Sequence, residues 1–329
     1  MKLGIVGSGG IVQEMLEALQ PVLNVEPAAI WVRGHSLEKG QQLAQKYSIP
    51  AVYTDYDKFL EHKDMEFVYI GLINSAHYEY AKRALTAGLN VILEKPFASS
   101  YDEVQELSQL ARDKDLFLFE AVSLLHMDNF HKIQELLPKL GPIRIIQANY
   151  SQYSSRYDKY LAGTVLPAFD PRLSGGALYD INIYNLNLII GLFGAPDNVA
   201  YHANKGFNGI DTSGIATLSY PGFQAVAIGA KDSASASGCM IQGEKGYLKI
   251  ESSPNELKSF SICLRTGQKD PDTFKLNRYP HRLSQEFEEF ARIYAALDYA
   301  ARDRYLDISL AVAKVAELCR QAAGIDFGI

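Results

Sequence analysis

The sequence predicts an α/β protein of two domains: an N-terminal doubly wound parallel sheet, then an α+β domain with a largely antiparallel open sheet. Three observations predict it. Through residue 120, β-rich runs alternate with amphipathic helical stretches, the pattern of a parallel sheet covered by helices on both faces. A glycine-rich turn follows the first run directly. From Val199 to Ile262 the runs succeed one another with Gly, Pro and Ser punctuation, which reads as a largely antiparallel sheet. A chain of 329 residues suffices for two cores, and the change of pattern places the domains at 1–121 and 122–329.

In order, Lys2–Val6 reads as a strand and Ile11–Leu19 as a helix stopped by Pro21. Ala29–Val32 is a strand. Ser36–Tyr47 is a helix, with Ser36 as N-cap and Leu37, Leu43, Ala44 and Tyr47 at helical spacing. Phe67–Leu72 is an apolar strand, Ala76–Ala87 a helix closed by Gly88, and Val91–Leu93 a strand. Ser99–Arg112 and Leu116–Phe119 complete the alternation. Beyond residue 140, a strand at Ile143–Tyr150 leads into a polar, aromatic loop and then a helix starting near Gly175. Strands follow at Ile215–Tyr220, Gln224–Ile228, Cys239–Gln242 and Tyr247–Ile250, and two helices, Leu283–Leu297 and Leu306–Ala322, close the chain.

A net charge of −6 lacks the basic surface that nucleic acid or an anionic membrane requires. No apolar run approaches the ~18 residues of a membrane helix. The first seven residues read as a strand entering a turn and not as a signal peptide. Three scattered cysteines, Cys239, Cys263 and Cys319, fit a reducing compartment and neither a disulfide framework nor a zinc site. A cytoplasmic protein without a metal is expected.

Gly7-Ser8-Gly9-Gly10-Ile11-Val12 sits between the first strand and the first helix. In the Rossmann dinucleotide fingerprint the first glycine makes the tight turn and the second admits the pyrophosphate. The third position packs helix against strand. Gly7 and Gly9 match. Val12 stands where Gly or Ala is usual, and looser helix–strand packing is expected there. The helix N-terminus offers N–H groups and a positive dipole end to phosphate. The second strand ends without the acidic residue that binds the ribose hydroxyls of NAD. It offers Arg33, His35 and Ser36, which suit a 2′-phosphate. NADP is therefore preferred, with NAD as the alternative if Arg33 and His35 are only solvated loop residues.

At Val91-Ile92-Leu93-Glu94-Lys95-Pro96 the sequence resembles the glucose–fructose oxidoreductase/inositol dehydrogenase (Gfo/Idh/MocA) family. The resemblance extends through Asn74-Ser75-Ala76-His77, Gly175–Asp180 with Tyr184, and Gly243-Glu244-Lys245-Gly246. Asp180-Ile181-Asn182-Ile183-Tyr184 resembles the family's tyrosine branch, which includes dimeric dihydrodiol dehydrogenases and NADP-dependent xylose dehydrogenases. Other relatives have histidine in place of that tyrosine. The resemblance implies an NAD(P)-dependent oxidoreductase acting on a sugar, polyol or diol, and a homodimer or dimer-based oligomer. It implies cofactor contacts at Gly7, Ser8, Gly9, Gly10, Ile11, Leu72, Asn74, His77, Glu94 and Lys95, beside Arg33, His35 and Ser36, and a cis Lys95–Pro96 bond.

Lys95 ends a buried-type strand, where open α/β sheets place their ligands. Tyr184 is the candidate acid/base. A free phenol has a pKa of about 10, and an ammonium such as that of Lys95 lowers it. Asp180 is placed to orient a substrate hydroxyl or Lys95, and Glu94 the nicotinamide end or Lys95. His77 reads equally as a cofactor contact or a helix-start residue. Residues 176, 177, 180, 184, 187 and 191 form a small-and-polar stripe at helical spacing, expected to face a cavity. Tyr153–Tyr157 and Phe169–Arg172 suit a hydroxylated ligand or a dimer surface. Ser123-Leu124-Leu125-His126 departs from the branch, which carries an aromatic and an arginine there, so the pocket mouth differs. His126 reads as a helix-surface residue. Two other readings remain: a non-catalytic NADP-binding regulator, and an enzyme that retains NADP while cycling between two sugars.

Overall fold

The computed structural model describes residues 1–265 and 270–328. They form two compact units, Met1–Ala121 with His281–Leu310, and Val122–Pro280 with Ala311–Ile329. The first runs β1 (Lys2–Val6), α1 (Gly10–Ala18), β2 (Glu26–Trp31), α2 (Leu37–Tyr47), β3 (Ala51–Tyr53), α3 (Tyr56–Leu60), β4 (Phe67–Ile70), α4 (His77–Thr86), β5 (Asn90–Glu94), α5 (Tyr101–Asp113) and β6 (Leu118–Ala121). Its sheet has the order β3-β2-β1-β4-β5-β6 with every pair parallel. Strands β4, β5 and β6 are buried along their whole length, as covering on both faces requires. The strand order reverses between β1 and β4, which opens a crevice at the strands' C-terminal ends.

Several boundaries differ from expectation for local reasons. β2 begins at Glu26 in spite of Pro27, because the register slips between Leu3 and Gly4 opposite that proline. α5 starts at Tyr101 because Ser100 and Glu103 form a reciprocal capping box. Ser36 occupies the N-cap position of α2, but its side chain caps nothing. The short β3 and α3 carry too little periodicity to read from sequence. Asp55 starts α3 by accepting from the N–H groups of Asp57 and Lys58.

The second unit holds α6 (Asp128–Leu136), β7 (Ile143–Ser151), α7 (Tyr157–Leu161), α8 (Ile183–Phe193), β8 (Asn198–Lys205), β9 (Asp211–Tyr220), β10 (Phe223–Ala230), β11 (Gly238–Gly243), β12 (Gly246–Ile250), β13 (Phe260–Leu264) and β14 (Asp272–Phe274). Its sheet has the order β14-β13-β12-β11-β7-β10-β9-β8, and only β7 and β10 pair in parallel. The chain closes with α9 (Arg282–Ala295) and α10 (Tyr299–Ala322).

The sequence pattern groups α9 with the second domain, whereas its packing joins it to the first unit. Leu283, Phe287, Phe290 and Ile293 are buried in one cluster with Leu3, Ile5, Tyr69 and Phe119. Phe290 stacks on Phe119 at 4.5 Å between ring centroids. Among the described residues no helix is long and apolar enough to cross a membrane.

Candidate functional site

In the first unit the glycine turn is shaped by contact. Gly7 has φ +112°, and a Cβ there would lie 2.7 Å from the Gly71 carbonyl oxygen, so only glycine serves. A Cβ on Gly9 or Gly10 would meet nothing within 4 Å, which leaves that side of the turn open. No side chain caps α1, and its first turn carries no acidic residue. The N-terminal N–H groups of α1 thus face an open, uncrowded approach suited to an anion. Ser8 and Ile11 are part-exposed beside it.

The looser packing expected at Val12 does not occur. Val12 is fully buried, and a Cβ on Gly71 would come within 2.8 Å of its Cγ2. The small residue that helix–strand packing needs has moved to the facing strand end. Arg33 and His35 are exposed after β2, with Ser36 part-exposed beside them.

Lys95 follows β5 directly, part-exposed, and its bond to Pro96 is cis. Glu94 lies beneath it, 5% exposed. It accepts from the Tyr69 hydroxyl at 2.8 Å and from the Lys95 peptide N–H at 3.2 Å. Burial raises its carboxyl, and the Tyr69 hydroxyl and Lys95 charge oppose that rise. In this position it supports the Lys95 backbone from below and does not face outward.

His77 begins α4 with its ring wholly buried. Nδ1 lies 2.9 Å from the Pro96 carbonyl oxygen and Nε2 3.2 Å from that of Leu72. Burial outweighs the two carbonyls and pushes its pKa down to about 4, so the neutral ring, with a single N–H, donates to one of these carbonyls and packs against the other. His77 is the first residue of α4, as its helix-start reading expects, with its ring turned inward. Asn74 and Leu72 are part-exposed on the same loop. Glu120, at the end of β6, is raised to about 7 by burial in spite of bonds from Ser309 and the Phe97 N–H.

In the second unit the candidate helix opens with a wide π turn, Leu178–Asn182, ahead of α8. Asp211, 1% exposed, starts this turn by accepting from the Leu178 N–H at 2.6 Å and the Tyr201 hydroxyl at 2.7 Å. Asn182 lies against Gly229, where a Cβ would come within 2.5 Å, and its side-chain amide donates to the Ala227 carbonyl at 3.0 Å. Tyr184 is 6% exposed, with its ring 6.0 Å from that of Tyr150.

Asp180 is half-exposed and pairs at 2.7 Å with Lys231, a buried lysine that sequence reasoning missed. It stands in no motif in the sequence, and its partner Asp180 lies far earlier in the chain.

The expected cavity-facing stripe is not one face. The π turn shifts the register that an unbroken 3.6-residue helix would keep. Gly176 packs against Asp211, and Gly191 against Leu125 and Phe130. The Asn187 side-chain amide donates to the Ile183 carbonyl. Phe169, expected at the ligand, is fully buried and stacks on Tyr160 at 4.9 Å, while Asp170 pairs with Arg172. Tyr153 is exposed and donates to Asp158. His126 is not a surface residue: it lies 2% exposed in the turn Ser123–His126, and burial pushes its pKa down to about 3. Among the described residues no group of three or more His, Cys, Asp or Glu is placed to hold a metal.

Residues 1–122 match the family described as "Oxidoreductase family, NAD-binding Rossmann fold", and residues 130–249 match "GFO/IDH/MocA C-terminal domain". The chain is 32% identical to scyllo-inositol 2-dehydrogenase (NADP(+)) IolU of Bacillus subtilis over 329 residues, 99% of this chain and 98% of that protein. It is 28% identical to trans-1,2-dihydrobenzene-1,2-diol dehydrogenase of Xenopus tropicalis over 259 residues, 76% of this chain and 75% of that one. The fold superposes on KijD10, a 3-ketoreductase from Actinomadura kijaniata in complex with NADP and TDP-benzene, with a TM-score of 0.84 at 21% identity. That match covers 98% of this chain and 97% of the other.

Proposed function

The chain belongs to the Gfo/Idh/MocA family of oxidoreductases, and on that footing we propose that it is an NADP-dependent dehydrogenase or reductase of a sugar, polyol or diol. The observation that carries the reading is the uncapped N-terminus of α1 behind an open glycine turn, at the point where the strand order reverses. These residues fit a dinucleotide: Gly7, Gly9 and Gly10 leave room for the pyrophosphate, and the first N–H groups of α1 receive it. Arg33, His35 and Ser36 supply charge and donors for a 2′-phosphate in place of the missing acid. Bound NADP supplies the hydride chemistry.

The chain's own part is position and proton handling. Lys95 supplies the ammonium, and its backbone is fixed by Glu94, which accepts from the Lys95 peptide N–H and from the Tyr69 hydroxyl. Tyr184 is the acid/base that handles the proton, and Asp180 orients a substrate hydroxyl. His77 sets the two loops beside Lys95. Substrate is an uncharged polyhydroxylated ring or diol, in keeping with relatives that act on inositol and dihydrodiols. The division of labour follows the sequence boundary near residue 121, with α9 added to the nucleotide-binding part.

A homodimer forms through the open face of the second sheet, where Ile145, Ile215 and Tyr247 are exposed. A groove of about 580 Å³ there is lined by Met240, Gln242, Tyr247 and Cys263. Three free thiols, Cys263 among them part-exposed, suit the cytoplasm.

The test is a spectrophotometric panel: NADP reduction with inositols, aldoses and diols, and NADPH oxidation with the matching ketones. Turnover on at least one hydroxylated ring is expected. Tyr184→Phe should lower kcat by about 10²–10⁴-fold while nucleotide affinity stays constant. Full turnover by Tyr184→Phe removes that residue from its role, and silence across the panel favours a nucleotide-binding regulator.

A further inference from the structure

Lys231 stands just past β10 with a side chain only 3% exposed. Its ammonium donates to Asp180 Oδ2 at 2.7 Å and to the Ala168 carbonyl oxygen at 2.6 Å, and it lies 4.4 Å from the centre of the Phe169 ring. Two proton positions therefore meet oxygen and the cation also faces an aromatic ring. Its backbone is fixed as well: the Lys231 N–H donates to Thr212, and its carbonyl accepts from Ser154. The Ala168 carbonyl also takes the Gly176 N–H, so a single oxygen ties the lysine to the start of the π turn. Gly229 lets that turn approach the strand closely enough for the contact.

A buried ammonium is costly unless paired, and apolar residues of similar volume would fill the same space without that cost. Its role is therefore read from what it holds. Asp180 is the partner, and its carboxylate is 36% exposed while the lysine is closed off. The pair is electrically neutral as a unit. A carboxylate paired with a lysine offers its remaining lone pairs to a hydroxyl donor. Its charge is already compensated, so it gives a cationic ligand no advantage.

We propose that Lys231 is a positioning residue that fixes and neutralises Asp180, and thereby biases binding at Asp180 toward uncharged hydroxylated substrates over amines. The proposal rests on the reading of Asp180 as a site residue. It also makes the loop bearing Ala168 and Phe169 part of the same charged assembly as the π turn.

The test is calorimetric titration of the NADP-saturated protein with scyllo-inositol and with its monoamino analogue, a matched pair differing by one cationic group. Wild-type protein should prefer the neutral ring. Lys231→Met should shift the preference toward the amine by about tenfold, because the surroundings of Asp180 become one charge more negative. Lys231→Arg should keep the wild-type preference, and adding Asp180→Asn to Lys231→Met should abolish the shift. Should Lys231→Met not fold, Lys231→Gln carries the same comparison. A loss of structure alone would weaken both ligands together and would not move their ratio. An unmoved ratio in the folded uncharged variant, or a shift that persists with Asp180→Asn, overturns the proposal. If Asp180→Asn binds both rings as wild type does, or wild type binds neither, it is the underlying site reading that fails.

Discussion

Lys95 and Lys231 each follow a strand directly, β5 and β10, and each is held by a carboxylate: Glu94 through the peptide N–H, Asp180 through the side chain. Lys95 was legible because a proline follows it in a family motif. Lys231 was not, because its partner lies 51 positions earlier and only folding brings the two together. Buried titratable groups in the first unit make stability depend on pH in opposite senses. Glu120 is raised to about 7, so the folded state holds its proton more tightly than the unfolded chain. Its contribution is present at acid pH and is lost as pH climbs through 7, by up to about 3 kcal/mol. His77 is depressed to about 4, so its contribution is present above the unfolded value of about 6.5 and is lost as pH falls toward 4. Glu120→Gln should therefore raise the melting temperature at pH 8 and change it little at pH 4.5. Calorimetry showing a gain that does not vary with pH would contradict the assignment.

At the scale of elements, α1 packs on the end of β4 through Val12 and Gly71, the reverse of the usual assignment of large and small residue. The fingerprint was readable because its glycines answer to backbone geometry, which is local. The compensating glycine was not, because it sits on another strand. Gly71→Ala should destabilise the protein by about 1–3 kcal/mol in urea unfolding, since the new methyl meets Val12 at 2.8 Å. Combining it with Val12→Ala should cost less than the sum of the two single changes. Strict additivity would mean that the two side chains do not share that space. The π turn was missed for a related reason. A 3.6-residue wheel assumes an unbroken helix, and Asp211, Gly229 and Lys231, which hold the wide turn, come from later in the chain.

For the molecule as a whole, the open face of the second sheet carries exposed apolar side chains, Ile145, Ile215 and Tyr247. Across it Gln224, Ile145, Gln242, Tyr247 and Cys263 stand in register on adjacent strands. Ile145→Asp with Tyr247→Asp should turn a dimer into a monomer in sedimentation velocity, with the monomer still folded because both side chains are already exposed. A wild-type monomer at micromolar concentration would refute the dimer. The alternation of strands and helices, the glycine turn and the lysine before proline were determined by the sequence alone. They depend on backbone sterics and on the periodicity of burial within a few residues of one another. Only the tertiary structure decided that α9 packs with the first sheet, that His77 and His126 turn inward, and that Lys231 pairs with Asp180. Those outcomes depend on which distant surfaces meet, and burial there outweighs what each side chain would do in water.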